Sequence, residues 1–135
     1  MANALYPKYK EALISGAANV ALTTGTVKAV LVDLADYTYN AAHDFLDDVP
    51  AGARVGTPQT IANRTVVGGL FDGDDITFPA VTGDQAEALI LCIDTGSEAT
   101  SRLVAFLDTG VTGLPVTPNG GNIGTTWNAS GIFQL

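Results

Sequence analysis

Residues that carry most enzyme chemistry are scarce in this chain of 135 residues, which has one cysteine (Cys92), one histidine (His43) and one tryptophan. A single cysteine excludes a disulfide within the chain, and one cysteine with one histidine cannot complete a zinc site without several carboxylates. No Gly-x-Ser-x-Gly elbow, Walker loop or dinucleotide-binding glycine motif is present. We therefore expect no catalytic residue, no cofactor and no bound metal, and we predict that the protein is not an enzyme.

Positive charge is also scarce. Six lysines and arginines stand against 14 aspartates and glutamates, which gives a formal net charge of −8. Phosphate backbones repel such a chain, so we expect no direct contact with nucleic acid. Charged residues make up only 15% of the chain and hydrophobic residues 47%. So little charge on a small protein suggests that a partner covers part of its surface.

Long hydrophobic runs are absent as well. No apolar stretch approaches the roughly 20 residues that span a bilayer, and the first residues lack the apolar core of a secretory signal. We therefore expect synthesis in a cytoplasm and no membrane contact. The length predicts one domain, residues 1–135.

Short apolar runs separated by Gly, Asp, Asn, Pro and Thr fill the chain from residue 27 onward. Runs of this kind are typical of strands, and the gaps between them are too short for helical crossovers. The sequence therefore predicts an all-β fold, a single antiparallel β-sandwich of about seven strands. The predicted strands are residues 27–34, 64–67, 75–79, 86–94, 102–108, 122–127 and 131–134.

Three further local features can be predicted. Leu5, Tyr9 and Leu13 recur at the spacing of one helix face, so residues 4–15 are predicted as a short helix that Gly16 ends. Residues 52–61 are predicted as an edge strand, because Pro58 cannot donate to a ladder. A helical turn is predicted near residues 42–46, and the Asp-Gly pair at residues 72–73 predicts a hairpin turn.

Two acidic motifs leave alternatives open. Asp94 and Asp108 each begin an Asp-Thr-Gly segment, and the first resembles the loop of aspartic proteases, whose chemistry needs two carboxylates that share a proton. The simpler interpretation is two similar strand ends, with a protease using Asp94 as a remote alternative. The carboxylates of residues 72–75 suit a hard cation such as Ca²⁺, but they do not match the EF-hand pattern, and a solvated hairpin turn is the simpler interpretation.

Three segments together resemble a family of small structural proteins encoded by tailed bacteriophages and prophages. They are residues 27–33 continuing to the His-Asp-Phe-Leu-Asp-Asp-Val-Pro of residues 43–50, then residues 74–89, and finally residues 112–121, which contain Leu-Pro-Val-Thr-Pro-Asn-Gly-Gly. The similarity covers nearly the whole chain. The resemblance implies a virion protein present in many copies, assembled in a bacterial cytoplasm and exported as part of a particle.

Within a virion, a compact acidic domain without a long arm or fibre repeat suits a capsid decoration (cement) protein on the outer capsid surface. A tail, neck or baseplate component is the alternative. We expect its partners to be the major capsid protein and copies of itself, as a homotrimer. We expect apolar and aromatic anchors to make these contacts, although the tyrosines also suit core packing. The candidate interface residues are Leu5, Tyr6, Tyr9, Leu13, Tyr37, Tyr39, Ile132, Phe133 and Leu135.

Overall fold

The computed structural model describes residues 3–135, which form short antiparallel strands and one helix. Two single 3-10 turns, Leu46–Asp48 and Ala51–Ala53, lie between the second and third strands. In chain order the elements are β1 (Ala4–Leu5), α1 (Pro7–Ser15), β2 (Thr26–Val32), β3 (Arg54–Thr60), β4 (Thr65–Val67), β5 (Leu70–Asp72), β6 (Ile76–Phe78), β7 (Ala88–Asp94), β8 (Arg102–Leu107), β9 (Ile123–Thr125) and β10 (Phe133–Gln134).

The largest sheet has five antiparallel strands in the order β1-β8-β7-β2-β3. Its three central strands are apolar at nearly every position, and in β7 only Asp94 is not fully buried. A strand without alternation between apolar and polar residues needs cover on both faces of its sheet. The strand predicted at residues 27–34 is confirmed as β2, which ends at Val32 and lies between β7 and β3.

Different parts of the chain cover the two faces of this sheet. Val30, Ile90 and Phe106 are cross-strand neighbours and share one face. The rings of Tyr37 and Tyr39 pack there, with centroids 6.4 Å and 5.5 Å from that of Phe106. Leu31, Leu89 and Leu107 share the other face, and the last of them lines a groove with Trp127 and Phe133.

The first residues differ from the prediction. Ala4 and Leu5 are not helical but form strand β1, which pairs with β8 at Phe106 and Ala105. The helix begins at Pro7, because proline at the first position has no N–H to leave unbonded. Its end is as predicted: Gly16 adopts the left-handed conformation with φ of 69°.

A hairpin joins β4 and β5, and its turn is Gly68-Gly69 instead of the predicted Asp-Gly pair. Both glycines have positive φ, 60° and 79°, which makes a type I′ turn. Asp72 ends β5, so the prediction of a turn there is wrong. The helical turn expected near residues 42–46 lies slightly later, at Leu46–Asp48.

The remaining strands form two small sheets, one in the order β10-β5-β4 and one that pairs β6 with β9. Trp127 follows β9 and donates its indole N–H to the carbonyl oxygen of Asp74 at 2.8 Å. All strand pairs in residues 3–135 are antiparallel, and the all-β class is confirmed. The accessible surface is 6395 Å², close to the roughly 6,700 Å² expected for a compact monomer of this mass. The chain thus buries its own core, and any interface is an addition to a folded domain.

Candidate functional site

Three of the four tyrosines expected at an interface lie in the core. Tyr6, Tyr9 and Tyr37 are almost completely buried, and Tyr39 is half-buried against Tyr6, with ring centroids 5.1 Å apart. Their assignment as partner contacts is therefore corrected to core packing. The reason is that the central sheet is apolar on both faces, and these aromatic rings cover one of them.

Hydrogen bonds satisfy the buried tyrosine hydroxyls. The hydroxyls of Tyr6 and Tyr37 lie 2.8 Å apart, and that of Tyr37 lies 2.9 Å from Nδ1 of His43. Tyr9 donates its hydroxyl proton to the carbonyl oxygen of Val20 at 2.9 Å. Burial raises the pKa of the Tyr6 and Tyr37 hydroxyls, and it raises the pKa of Tyr9 to about 12. These phenols stay protonated and serve the fold.

The apolar interface candidates near the two ends of the chain, unlike the tyrosines, lie at the surface of a groove. Leu5, Ile132 and Phe133 are half-buried and line a groove of about 310 Å³ between β1 and β10. An adjoining cavity of about 380 Å³ shares Ile132 and Phe133 and continues to Trp127. The fold thus brings residues from both ends of the chain into one partly apolar groove, which we call the terminal groove. Leu13 packs against the core from α1 and does not line it.

Four large apolar side chains are exposed on the described surface. Leu135 is 64% exposed, which agrees with its prediction as an exposed anchor. The other three, Ile14 (89%), Val67 (75%) and Val66 (49%), were missed by the sequence analysis. A signal was available for Ile14, because it lies off the face defined by Leu5, Tyr9 and Leu13. The two valines precede the glycine pair, so a hairpin at that pair would have placed them on a short edge strand.

The proposed protease residue is held in an ion pair. A backbone N–H donated by Gly96 to Asp94 lowers the pKa of this carboxyl, and Lys28, 3.1 Å away, lowers it further. Both groups line a cavity of about 380 Å³ together with Cys92 and a second ion pair, Arg54–Glu98. A protease dyad needs one carboxyl whose pKa is raised, whereas this environment keeps Asp94 ionised.

The two Asp-Thr-Gly segments are also far apart. β7 and β8 are antiparallel, with Ile93 opposite Arg102 and Leu89 opposite Leu107. Asp94 therefore follows one end of this strand pair and Asp108 the other, roughly 15–20 Å away at about 3.3 Å per residue. The fold does not bring the two carboxylates of one chain together.

Cys92 and His43 are the other candidates for a nucleophile and a base, and neither is free to act. Cys92 lies inside β7, where burial raises the pKa of its thiol to about 12 and keeps it protonated. His43 is half-buried with Nδ1 bonded to the Tyr37 hydroxyl. The two side chains belong to different segments, and neither is placed to activate the other.

The acidic residues between β5 and β6 brace the fold. Asp74 accepts a hydrogen bond from the Asn63 amide at 2.6 Å, and Asp75 accepts one from the Trp127 backbone at 3.0 Å. A second group, Asp33, Asp36 and Asp84, places carboxylate oxygens within 4.8 Å of one another. Two of its members are exposed and Asp33 accepts from the Ala35 backbone, so this acidic group does not by itself indicate a cation site.

Within residues 3–135, no helix combines the length and the apolar character needed to cross a bilayer. Comparison of the chain with models of known protein families finds no match. Comparison with curated proteins finds no significant similarity either.

Proposed function

We propose that this chain is a structural protein of a tailed-bacteriophage virion and, within it, a capsid decoration protein. The observation that carries the proposal is apolar surface on a domain that already buries its core. Ile14, Val66, Val67 and Leu135 are exposed, and complete burial of such a side chain contributes about 1.5–3 kcal/mol. A second surface that covers them gains this free energy.

The terminal groove is the proposed contact with the major capsid protein. It is lined by Leu5, Ile132 and Phe133, which were expected to be contacts, and Leu135 follows its lining residue Gln134 in the sequence. Its polar rim includes Asn3 and Gln134. An apolar centre inside a polar rim is the usual anatomy of a protein interface. The partner that fits is an extended apolar segment of the shell protein.

The proposed mechanism is mass action. A protein that binds the assembled shell and not the free shell subunit shifts the equilibrium toward the shell, by about 2.7 kcal/mol per site at a hundredfold excess over Kd. The small stabilising free energies of many such sites then add up over the particle. This role requires no bound cofactor and no reaction.

The test is the position and number of copies in particles of the phage that encodes the chain. Decoration predicts hundreds of copies on the outer capsid surface in cryo-EM density, and shells that disassemble at a lower temperature when the gene is deleted. Copies found only at the neck, tail or baseplate would favour that alternative. Absence of the chain from intact particles would overturn the virion role.

A matched pair of variants tests whether Leu135 contacts the shell. Purified chain is added back to shells that lack it, and its dissociation constant is measured. Leu135→Asp should raise this constant at least tenfold, a loss of about 1.4 kcal/mol. Ala41→Asp, which adds the same charge at an exposed site outside the groove, should leave binding unchanged. Equal binding by both variants would exclude Leu135 as part of the contact with the shell.

A further inference from the structure

Strand β4 forms an unprotected edge of its sheet. It is the last strand in the order β10-β5-β4, and all three of its residues are exposed. Val66 and Val67 project from it, and no charged residue occurs between Thr65 and Phe71. Exposed strand edges usually carry charges, prolines or bulges that prevent pairing with another chain. This edge has none of these.

The edge of the five-stranded sheet at β3 has the protection that β4 lacks. β3 carries Arg54 and Pro58, and Gly56 adopts a positive φ of 69° in its middle. The register of β3 against β2 also shifts between Ala29 and Leu31. The remaining edge strands are short: β1 and β10 have two residues each, and β6 and β9, which pair with each other, have three. Among the described edge strands, β4 is the one in which every residue is exposed.

The hydrogen-bonding groups of Val66 point away from the sheet. In the type I′ hairpin, Val67 and Leu70 close the turn as a hydrogen-bonded pair, so the next pair, Val66 and Phe71, is not hydrogen-bonded. The Phe71 carbonyl accepts from the Ile132 backbone N–H at 2.9 Å on the side of β10. The N–H and C=O of Val66 must then face the free edge.

We propose that two copies of this chain pair antiparallel through β4, with Val66 on the two-fold axis. Each Val66 donates its N–H to the carbonyl of the Val66 in the second copy, so both bonds form by symmetry. Val67 then lies opposite Thr65 of the second copy on the outer face. The β10-β5-β4 sheets of the two copies then join into one six-stranded sheet, in which the two Val66 side chains lie side by side and each Val67 lies beside Thr65 of the second copy.

The edge favours a second copy as its occupant, because the outward N–H and C=O of one Val66 complement those of another. Each chain carries a net charge of −8, so two copies repel over most of their surfaces. The uncharged stretch from Thr65 to Phe71 is a place where they can meet with little repulsion. A basic partner would instead be expected to bind where acidic side chains are concentrated. Arg64, the nearest charged residue before the strand, is directed inward to the carbonyl of Gly25.

The contact predicts a dimer in solution, in place of the trimer expected of a decoration protein. It does not depend on the proposed function, because it is a property of the isolated chain. Sedimentation and light scattering at concentrations up to about 1 mM, where even weak association is detected, should give twice the chain mass of 13.9 kDa. A monomer throughout this range, or a trimer, would overturn the proposal.

Variants at the edge test the geometry. Val66→Pro removes the outward N–H without removing a bond to β5, and Val66→Lys places two like charges opposite one another. Each should raise the dimer dissociation constant at least tenfold. Val66→Thr keeps the N–H and the branched side chain, and Ile14→Lys adds the same charge at an exposed apolar site on α1; both should remain dimeric.

Circular dichroism and thermal melting accompany each variant, so that dimer loss is judged only on folded protein. If Val66→Pro fails to fold, Val66→Lys decides the question. A folded Val66→Lys that stays dimeric would overturn the proposal, and so would an Ile14→Lys that becomes monomeric. Particle incorporation is a separate measurement, so failure of the virion role and failure of the β4 dimer give different results.

Discussion

Tyr37 stands in the middle of a buried chain of hydrogen bonds, between the hydroxyl of Tyr6 and the imidazole of His43. Tyr37→Phe removes both bonds and leaves the Tyr6 hydroxyl buried without its partner, which costs about 1–3 kcal/mol. Tyr6→Phe leaves the Tyr37–His43 bond in place and should cost about 1 kcal/mol. Urea unfolding at pH 7 measures both losses. A larger loss for Tyr6→Phe would contradict this role of Tyr37.

The burial of these tyrosines could not be predicted from the sequence. A tyrosine has an apolar ring and a polar hydroxyl, so its type is compatible with both a core and an interface. A tyrosine can be buried when its hydroxyl finds a hydrogen-bond partner. Only the fold brings His43 close to Tyr37 and the Val20 carbonyl close to Tyr9. Leu135, by contrast, was correctly expected to be exposed.

The Asp94–Lys28 pair makes stability depend on pH at the acidic end. The pKa of Asp94 is lowered in the folded chain, first by the Gly96 N–H and also by Lys28. Its contribution is therefore complete above the unfolded value of about 3.9 and is lost as the pH falls through the lower folded value. Asp94→Asn should destabilise the protein by about 1 kcal/mol at pH 7.

The difference in unfolding free energy between Asp94→Asn and the wild type should shrink steadily below about pH 4. Lys28→Met provides the matched variant, since it should lose its effect over the same range, when its partner is protonated. Urea titrations at several pH values give the comparison. A penalty for Asp94→Asn that is independent of pH would show that the charge of Asp94 does not stabilise the fold.

Among the elements, every predicted strand is present, and only the short strands β1 and β5 were missed. The runs that became β2, β7 and β8 are apolar on both faces, and few structures other than a covered central strand accommodate them. β5 was missed because its last residue, Asp72, is followed by Gly73, and an Asp-Gly pair favours turns. The hairpin instead uses Gly68-Gly69, whose positive φ angles suit a type I′ turn better.

Two glycines with nearly equal backbone angles allow a matched test of close packing between segments. Gly113 and Gly83 have φ of 107° and 114°, so alanine is strained at both. A Cβ at Gly113 would also collide with the backbone carbonyl of Gly124, whereas a Cβ at Gly83 meets nothing within 4 Å. Gly113→Ala should therefore lose at least about 2 kcal/mol more than Gly83→Ala. Thermal melting of both variants measures this, and equal losses would contradict the contact between the segment at Gly113 and β9.

At the scale of the whole molecule, the net charge of −8 opposes association of identical copies. Raising the salt from about 0.1 M to about 1 M shortens the screening length from about 10 Å to about 3 Å. The proposed dimer should therefore tighten several-fold with salt, which sedimentation equilibrium can measure. A dimer held by opposite charges would weaken over the same range, and that result would exclude an uncharged contact.

Cys92 lies on the middle strand of the five-stranded sheet, with Lys28 as its neighbour on one side and Leu103 on the other. It is the chain's sole cysteine and is fully buried. Only 1% of its surface is accessible, at the floor of the cavity that it lines with Lys28 and Asp94, so an alkylating reagent reaches its sulfur when the groups around that cavity move apart. The rate of alkylation therefore measures opening of this part of the molecule, and loosening confined to the β4–β5 hairpin leaves the rate unchanged.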